Sequence, residues 1–121
     1  VAAIRDLLPA DAFMEKTHFS CAAEQNCMRR IDLLGRDQII LIGAEAHVCV
    51  LQTALDLRAV GKEVYLVADG VSSRAPRDVE LALERMRAEG VRIVSREMVA
   101  FEWLHQADTE AFRQISREFL R

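Results

Sequence analysis

The 121-residue sequence lacks the features that identify several large classes of protein. No hydrophobic run approaches the length of a membrane span, and the first ten residues, which include Arg5 and Asp6, show no signal-peptide pattern. The net charge of −3 provides no basic excess for a nucleic-acid surface. We therefore expect a protein with neither a membrane nor a nucleic-acid partner.

Spacings typical of zinc and dinucleotide sites are also missing. The three cysteines, Cys21, Cys27 and Cys49, form no Cys-x-x-Cys pair, and no His-x-x-x-His spacing occurs. The turn that begins at Gly43 has one glycine instead of the Gly-x-Gly-x-x-Gly pattern of dinucleotide-binding loops. An odd number of cysteines without an export signal is typical of a reduced protein. We expect a cytoplasmic location and no metal or other cofactor.

Strand-like and helix-like stretches alternate along the chain, which is long enough for one domain covering residues 1–121. Ile39–Ile42, Val64–Ala68 and Val91–Val94 are short aliphatic runs, as in strands buried on both faces. Gly43 is expected to end the first strand, and Asp69–Pro76 is expected to be a polar loop after the second. The order of elements predicts an α/β fold with a parallel sheet covered by helices. The predicted helices cover about residues 22–34, with Ser20 as N-cap, 48–60, 78–89, 96–104, with Ser95 as N-cap, and the stretch from about 109.

Cys49 is a candidate functional residue because it lies between a predicted strand and a predicted helix. The first backbone N–H groups of a helix have no partner and favour negative charge, so a thiol at this turn should ionise more easily than a free one. The same N–H groups could hold an oxyanion that forms next to the sulfur. The alternative is that Cys49 is a small buried hydrophobe, the usual role of a free cysteine.

Several segments resemble those of the isochorismatase-like cysteine hydrolases. Gly43–Leu57 closely resembles the nucleophile segment of that family, and Glu15–Ser20 resembles its lysine segment. Asp69–Arg74, followed by Ala82–Met86, is similar to the subgroup of small isochorismatase-domain hydrolases. The resemblance runs from about Phe13 to the C-terminus. It implies a three-layer α-β-α fold with a parallel, Rossmann-like sheet.

The resemblance also implies a mechanism and a set of site residues. The family hydrolyses small amides or related C–N and ester bonds through a thioester, and Cys49 would be the nucleophile. Lys16 would be the cation that favours the thiolate; without the resemblance it would be an exposed surface lysine. The oxyanion hole would map onto the backbone N–H groups of Glu45 and Cys49. The family's non-proline cis peptide would map onto Ala44–Glu45.

One part of the family pattern is not found. The catalytic acid of the family is an aspartate at the end of its first strand, and nothing in residues 1–15 matches its Asp-x-Gln context. Asp6 and Asp11 lie in a polar stretch broken by proline, so the role is carried onto neither. We therefore expect the sequence to correspond to the C-terminal two thirds of the usual domain. An unpaired, apolar sheet edge is then expected beside Ile39–Ile42.

Two functions from different classes stay open. The first is a hydrolase acting on a small-molecule substrate, with Cys49 and Lys16 as catalytic residues. The second is a catalytically incomplete module that acts as an interaction or oligomerisation protein. A redox-sensing role for Cys49 is a third option. Association into a homo-oligomer is expected from the habits of the family and from the exposed sheet edge. The sequence does not identify the substrate.

Overall fold

The computed structural model describes residues 2–120, and Val1 and Arg121 lie outside the described residues. Strands and helices alternate along this range. The strands are β1 (Gln38–Ala44), β2 (Glu63–Ser72) and β3 (Arg92–Val94). The helices are α1 (Ala2–Arg5), α2 (Gln25–Leu33), α3 (Leu51–Ala59), α4 (Pro76–Ala88), α5 (Arg96–Leu104) and α6 (Glu110–Phe119). Two short 3-10 turns cover Ala10–Ala12 and Cys21–Ala23, and a π-helical turn, here called the π turn, covers Ala46–Val50.

The three strands form one parallel sheet in the order β1-β2-β3. Leu66 in the middle strand lies opposite Leu41 on one side and Ile93 on the other. The predicted α/β fold with a parallel sheet is therefore confirmed. Within residues 2–120, β1 pairs with a neighbour on one side only, and Ile42 on this strand is 67% exposed. The described part of the chain thus contains the apolar edge expected from the sequence.

The two faces of the sheet are covered by different helices. The hydrophobic core lies between the sheet and the helices α3 and α4, and Ile39 and Leu41 of β1 and Val64 and Leu66 of β2 face it. The largest fully buried side chains are Leu57, Leu66, Met86, Val64 and Cys27. The other face carries Tyr65 and meets α5, and a cavity of about 830 Å³ opens there beside Trp103. No helix in residues 2–120 is both long enough and apolar enough to cross a bilayer.

The end of β2 differs from the sequence prediction. Asp69–Pro76 was expected to be a loop, but β2 continues to Ser72. The register shifts after Leu41, and the last two residues of β1, Gly43 and Ala44, pair with Val71 and Ser72. Gly43 therefore does not end β1. Its φ of +127° is a backbone conformation that residues other than glycine rarely adopt. Pairing between the two strand ends overrides the local preference of Asp69 and Gly70 for a turn.

The helix starts are partly as predicted. Ser95 caps α5, since its hydroxyl accepts a hydrogen bond from the N–H of Met98. Ser20 does not cap a helix that starts at residue 22. Its hydroxyl accepts from the N–H of Ala22 in the 3-10 turn, and α2 begins only at Gln25. Helical backbone around the candidate cysteine starts with the π turn, two residues before the predicted start.

Candidate active site

Cys49 lies in the π turn, between the end of β1 and the start of α3. The peptide bond between Ala44 and Glu45 is cis. Glu45 is the N-cap of the π turn, and its carbonyl oxygen accepts hydrogen bonds from the N–H groups of Val48 and Val50, both at 3.2 Å. The π turn continues directly into α3, so the half-buried Cys49 lies close to the N-terminal, positive end of one helical segment.

Lys16 reaches this cysteine from a segment 33 positions earlier in the chain. Its Nζ lies 3.5 Å from the Sγ of Cys49. The same Nζ donates to the carbonyl oxygens of His18, at 3.0 Å, and Phe19, at 2.9 Å. An ammonium group has three N–H donors, so these three contacts account for all of them. The structure thus brings the two predicted side chains together and fixes the cation beside the sulfur.

Glu24 organises the turn that carries Lys16, a role that the sequence did not suggest. Its Oε1 accepts from the N–H and hydroxyl of Thr17, at 2.7 and 3.1 Å. The same oxygen accepts from the N–H of His18, at 3.0 Å, and lies 2.8 Å from His18 Nδ1. These hydrogen bonds, the backbone N–H of His18 first among them, lower the pKa of Glu24 to about 2. The side chain is therefore an ionised acceptor at neutral pH.

A second group of polar contacts joins the π turn and its N-cap residue to the segment between β2 and α4 and to the first turn of α4. Arg74 donates from Nε to Oε1 of Glu45 at 2.8 Å. His47 Nδ1 lies 2.9 Å from the hydroxyl of Ser73, and His47 Nε2 lies 3.8 Å from a carboxylate oxygen of Asp78. The carboxyl ends of parallel strands are where such folds bind ligands, and these residues lie at that edge.

The other two cysteines are in different surroundings. Cys27 is fully buried. Burial, followed by a hydrogen bond with Cys27, raises the pKa of Cys21 to about 11. Cys21 is therefore a thiol at neutral pH, and its backbone N–H donates to the hydroxyl of Thr53 at 2.9 Å. Of the three cysteines, Cys49 is the one whose sulfur contacts a lysine ammonium group.

Neither an acid partner for Lys16 nor a metal site is found in the described part of the chain. No carboxylate within residues 2–120 forms an ion pair with Lys16. Asp11 lies 3.6 Å from Arg30 instead, and Asp6 is exposed. Across the same residues, no group of three or more His, Cys, Asp or Glu side chains is arranged to hold a metal ion. The cavity beside Trp103 contains none of the candidate site residues.

Comparison with known proteins places the chain among isochorismatase domains. Residues 2–98 match the family model described as "Isochorismatase domain". Isochorismatase domain-containing protein 1 of Salmo salar is 36% identical over 110 residues. That alignment covers 91% of this chain and 39% of the relative, so the chain spans well under half the length of this relative.

Solved structures with the same fold agree with the family match. The MAR1 ribonuclease from Caenorhabditis elegans has a TM-score of 0.76 and 33% identity, covering 88% of this chain and 54% of that one. The pyrazinamidase/nicotinamidase from Streptococcus mutans has a TM-score of 0.63 and 27% identity, covering 67% of this chain and 45% of that one. The α/β architecture therefore matches that of isochorismatase-like hydrolases.

Proposed function

The chain belongs to the isochorismatase family, and we propose that it is a cysteine hydrolase that cleaves an amide-type or related C–N or ester bond in a small molecule. The observation that carries this proposal is the 3.5 Å contact between Lys16 Nζ and Cys49 Sγ. A cation beside a cysteine favours the thiolate, which is the nucleophilic form. The positive end of the helical segment acts in the same direction.

The proposed reaction has two covalent steps. The Cys49 thiolate attacks the carbonyl carbon, and the resulting oxyanion is stabilised by the backbone N–H groups of Glu45 and Cys49. Collapse of this intermediate breaks the C–N or C–O bond; the leaving group takes up a proton and departs, while a thioester remains on Cys49. Water then attacks the thioester, which releases a carboxylic acid and restores the thiol.

The general acid–base group of this reaction is assigned to no residue. Asp11 is paired with Arg30, and no carboxylate within residues 2–120 forms an ion pair with Lys16. Positioned acid–base groups typically contribute about 10²–10⁴-fold to a rate. Formation of the thioester is therefore a more direct measure of the proposed site than turnover is.

A small amide is the substrate class that we favour. The Streptococcus mutans relative is named as a pyrazinamidase/nicotinamidase, and a thiolate is suited to attack on a carbonyl. The Caenorhabditis elegans relative is named as a ribonuclease, which suggests RNA as a competing substrate. The net charge of −3 does not favour RNA binding, so we retain the small-molecule proposal.

Acyl trapping tests the proposal with two matched cysteine variants. The protein is incubated with a panel of small amides and activated esters, quenched in acid and digested, and the peptides are weighed by mass spectrometry. We expect the acyl group on the peptide that contains Cys49, its loss in Cys49→Ala, and its retention in Cys21→Ala. Acylation of Cys21, or equal hydrolysis by wild type and Cys49→Ala, would contradict the proposal.

The same experiment separates the alternatives to catalysis. A folded protein that is never acylated at Cys49 would favour the interaction or oligomerisation module. Oxidation of Cys49 by dilute peroxide without acylation would favour the redox sensor. The cytoplasmic location and the homo-oligomer stay predictions, and light scattering measures the second directly.

A further inference from the structure

The side chain of Glu24 does not cap the helix that begins directly after it. Glu24 occupies the N-cap position of α2, but its side chain makes no capping hydrogen bond to that helix. Only the backbone of Glu24 contributes to the start of α2, because its carbonyl oxygen accepts a hydrogen bond from the N–H of Met28 at 3.0 Å. The carboxylate is turned away from α2, and its contacts with Thr17 and His18 are all made by one oxygen, Oε1.

These contacts lie directly next to Lys16. Thr17 and His18 are the two residues that follow Lys16 in the chain, and the His18 carbonyl is itself an acceptor of the Lys16 ammonium group. All residues from 13 to 19 are exposed, so no burial in the core fixes this segment. A charge-assisted hydrogen bond is stronger than a neutral one, and an ionised carboxylate with several donors can hold an otherwise exposed turn in one conformation.

We propose that Glu24 is a positioning residue, which holds the Thr17–His18 turn so that the Lys16 ammonium group lies against the Cys49 sulfur. The side chain of Glu24 forms hydrogen bonds with Thr17 and His18 and none with Cys49, so it would act through Lys16. The inference rests on the proposed function, because it assigns Glu24 a part in the activation of Cys49. Removing its carboxylate is expected to release Lys16 while the core and α2 keep their own contacts.

Two measurements on the full chain test this role. The first is amide hydrogen exchange at Thr17 and His18, which reports whether the turn is held. The second is the rate at which iodoacetamide alkylates Cys49 at neutral pH, with the modified cysteine identified by peptide mass. The variants are Glu24→Ala, Glu24→Gln, Lys16→Met and the double variant Glu24→Ala/Lys16→Met. Glu15→Ala is the matched control, because Glu15 neighbours Lys16 but forms no hydrogen bond or ion pair within residues 2–120.

Wild type, Glu24→Ala, Lys16→Met and the double variant form a double-mutant cycle. Glu24→Ala should speed exchange at both amides and slow alkylation by roughly the same fivefold as Lys16→Met, the size expected for loss of one exposed charge contact. The double variant should be no slower than Lys16→Met, since Glu24 acts only through Lys16. Glu24→Gln, which keeps an oxygen acceptor without the charge, should fall between wild type and Glu24→Ala. Glu15→Ala should match wild type in both measurements.

The two measurements also separate this inference from the proposed function. Unchanged exchange in Glu24→Ala overturns the inference, whatever happens to Cys49. Faster exchange with wild-type alkylation also overturns it, provided that Lys16→Met is slow. If Lys16→Met itself alkylates as fast as wild type, the activation of Cys49 by Lys16 fails and the inference about Cys49 fails with it. An unfolded Glu24→Ala leaves Glu24→Gln to decide: equal rates in Glu24→Gln and wild type at both readouts overturn the inference.

Discussion

Replacing Lys16 with methionine should slow alkylation of Cys49 roughly fivefold at neutral pH. Methionine keeps most of the length of the side chain and removes the charge. The Nζ and Sγ atoms are 3.5 Å apart, and Lys16 is exposed, so the interaction of the ammonium with a thiolate is near its value in water. Coulomb's law then gives about 1 kcal/mol, which corresponds to roughly a fivefold change in the alkylation rate constant.

The assay compares second-order rates of alkylation by iodoacetamide, which reacts with the thiolate. Lys62→Met is the matched control, because Lys62 is the other lysine of the sequence. It contacts Asp32 at 3.6 Å and lies next to the first residue of β2, at the end of the sheet opposite to Cys49. We expect Lys62→Met to react like wild type. In 1 M salt, where the screening length is about 3 Å, the difference between wild type and Lys16→Met should shrink.

Equal rates in wild type and Lys16→Met would refute the reasoning, provided that circular dichroism shows both to be folded. So would a loss of rate that Lys62→Met shares, since the effect would then be general and not a result of the contact. Either result would show that the contact between Lys16 and Cys49 does not activate the cysteine, and the proposed role of Cys49 would lose its main support.

Three other measurements concern a buried hydroxyl, the Glu24 carboxylate and the surface charge. Thr53→Val should lower the free energy of unfolding by about 1–3 kcal/mol, because the nearly buried hydroxyl accepts the N–H of Cys21 at 2.9 Å. Urea unfolding measures this, with Thr53→Ser as the control that keeps the hydroxyl; equal stability of the two variants would contradict it. For Glu24, hydrogen bonds lower the folded pKa to about 2 from an ordinary 4.5, so its stabilising effect is complete above pH 4.5 and is lost as the pH falls towards 2. The stability difference between wild type and Glu24→Gln should therefore be constant from about pH 7 to 5 and shrink on further acidification. A difference that grows in acid would contradict a lowered pKa of Glu24. Labelled RNA should not be retained by the protein in a filter-binding assay at low salt, since the net charge is −3, and tight, salt-sensitive binding would overturn this prediction.

The regular parts of the fold follow from local patterns in the sequence. The aliphatic run Ile39–Ile42 is found within β1, and the helix predicted over about residues 78–89 is found as α4. The extension of β2 to Ser72 was missed, because Asp69 and Gly70 favour a turn by composition. The strand resumes after them because Val71 and Ser72 pair with Gly43 and Ala44 of β1. These partners are 28 positions earlier in the chain, so local periodicity could not predict the pairing.

The candidate site, like the fold, was predictable only in part from the sequence. The resemblance identified Lys16 and Cys49 as candidates, but their spacing in the sequence does not predict that their side chains are in contact. The contacts of Glu24 could not be found from a pattern, since they join residues six and seven positions apart within an irregular segment. Arg74 and Glu45 offered a usable signal. They are opposite charges that follow two predicted strands of one parallel sheet, and they form an ion pair.

The two halves of the site are held by different forces, and this has a consequence for their stability. The Cys49 half is anchored by the core, because the π turn continues into α3, whose Ala54 and Leu57 are fully buried. The Lys16 half is exposed from residue 13 to residue 19 and depends on hydrogen bonds to Glu24 and to its own carbonyl groups. Exposed segments held by polar contacts open at lower free energy than a core does. The contact between Lys16 and Cys49 should therefore be lost, and alkylation of Cys49 slowed, under conditions milder than those that unfold the sheet.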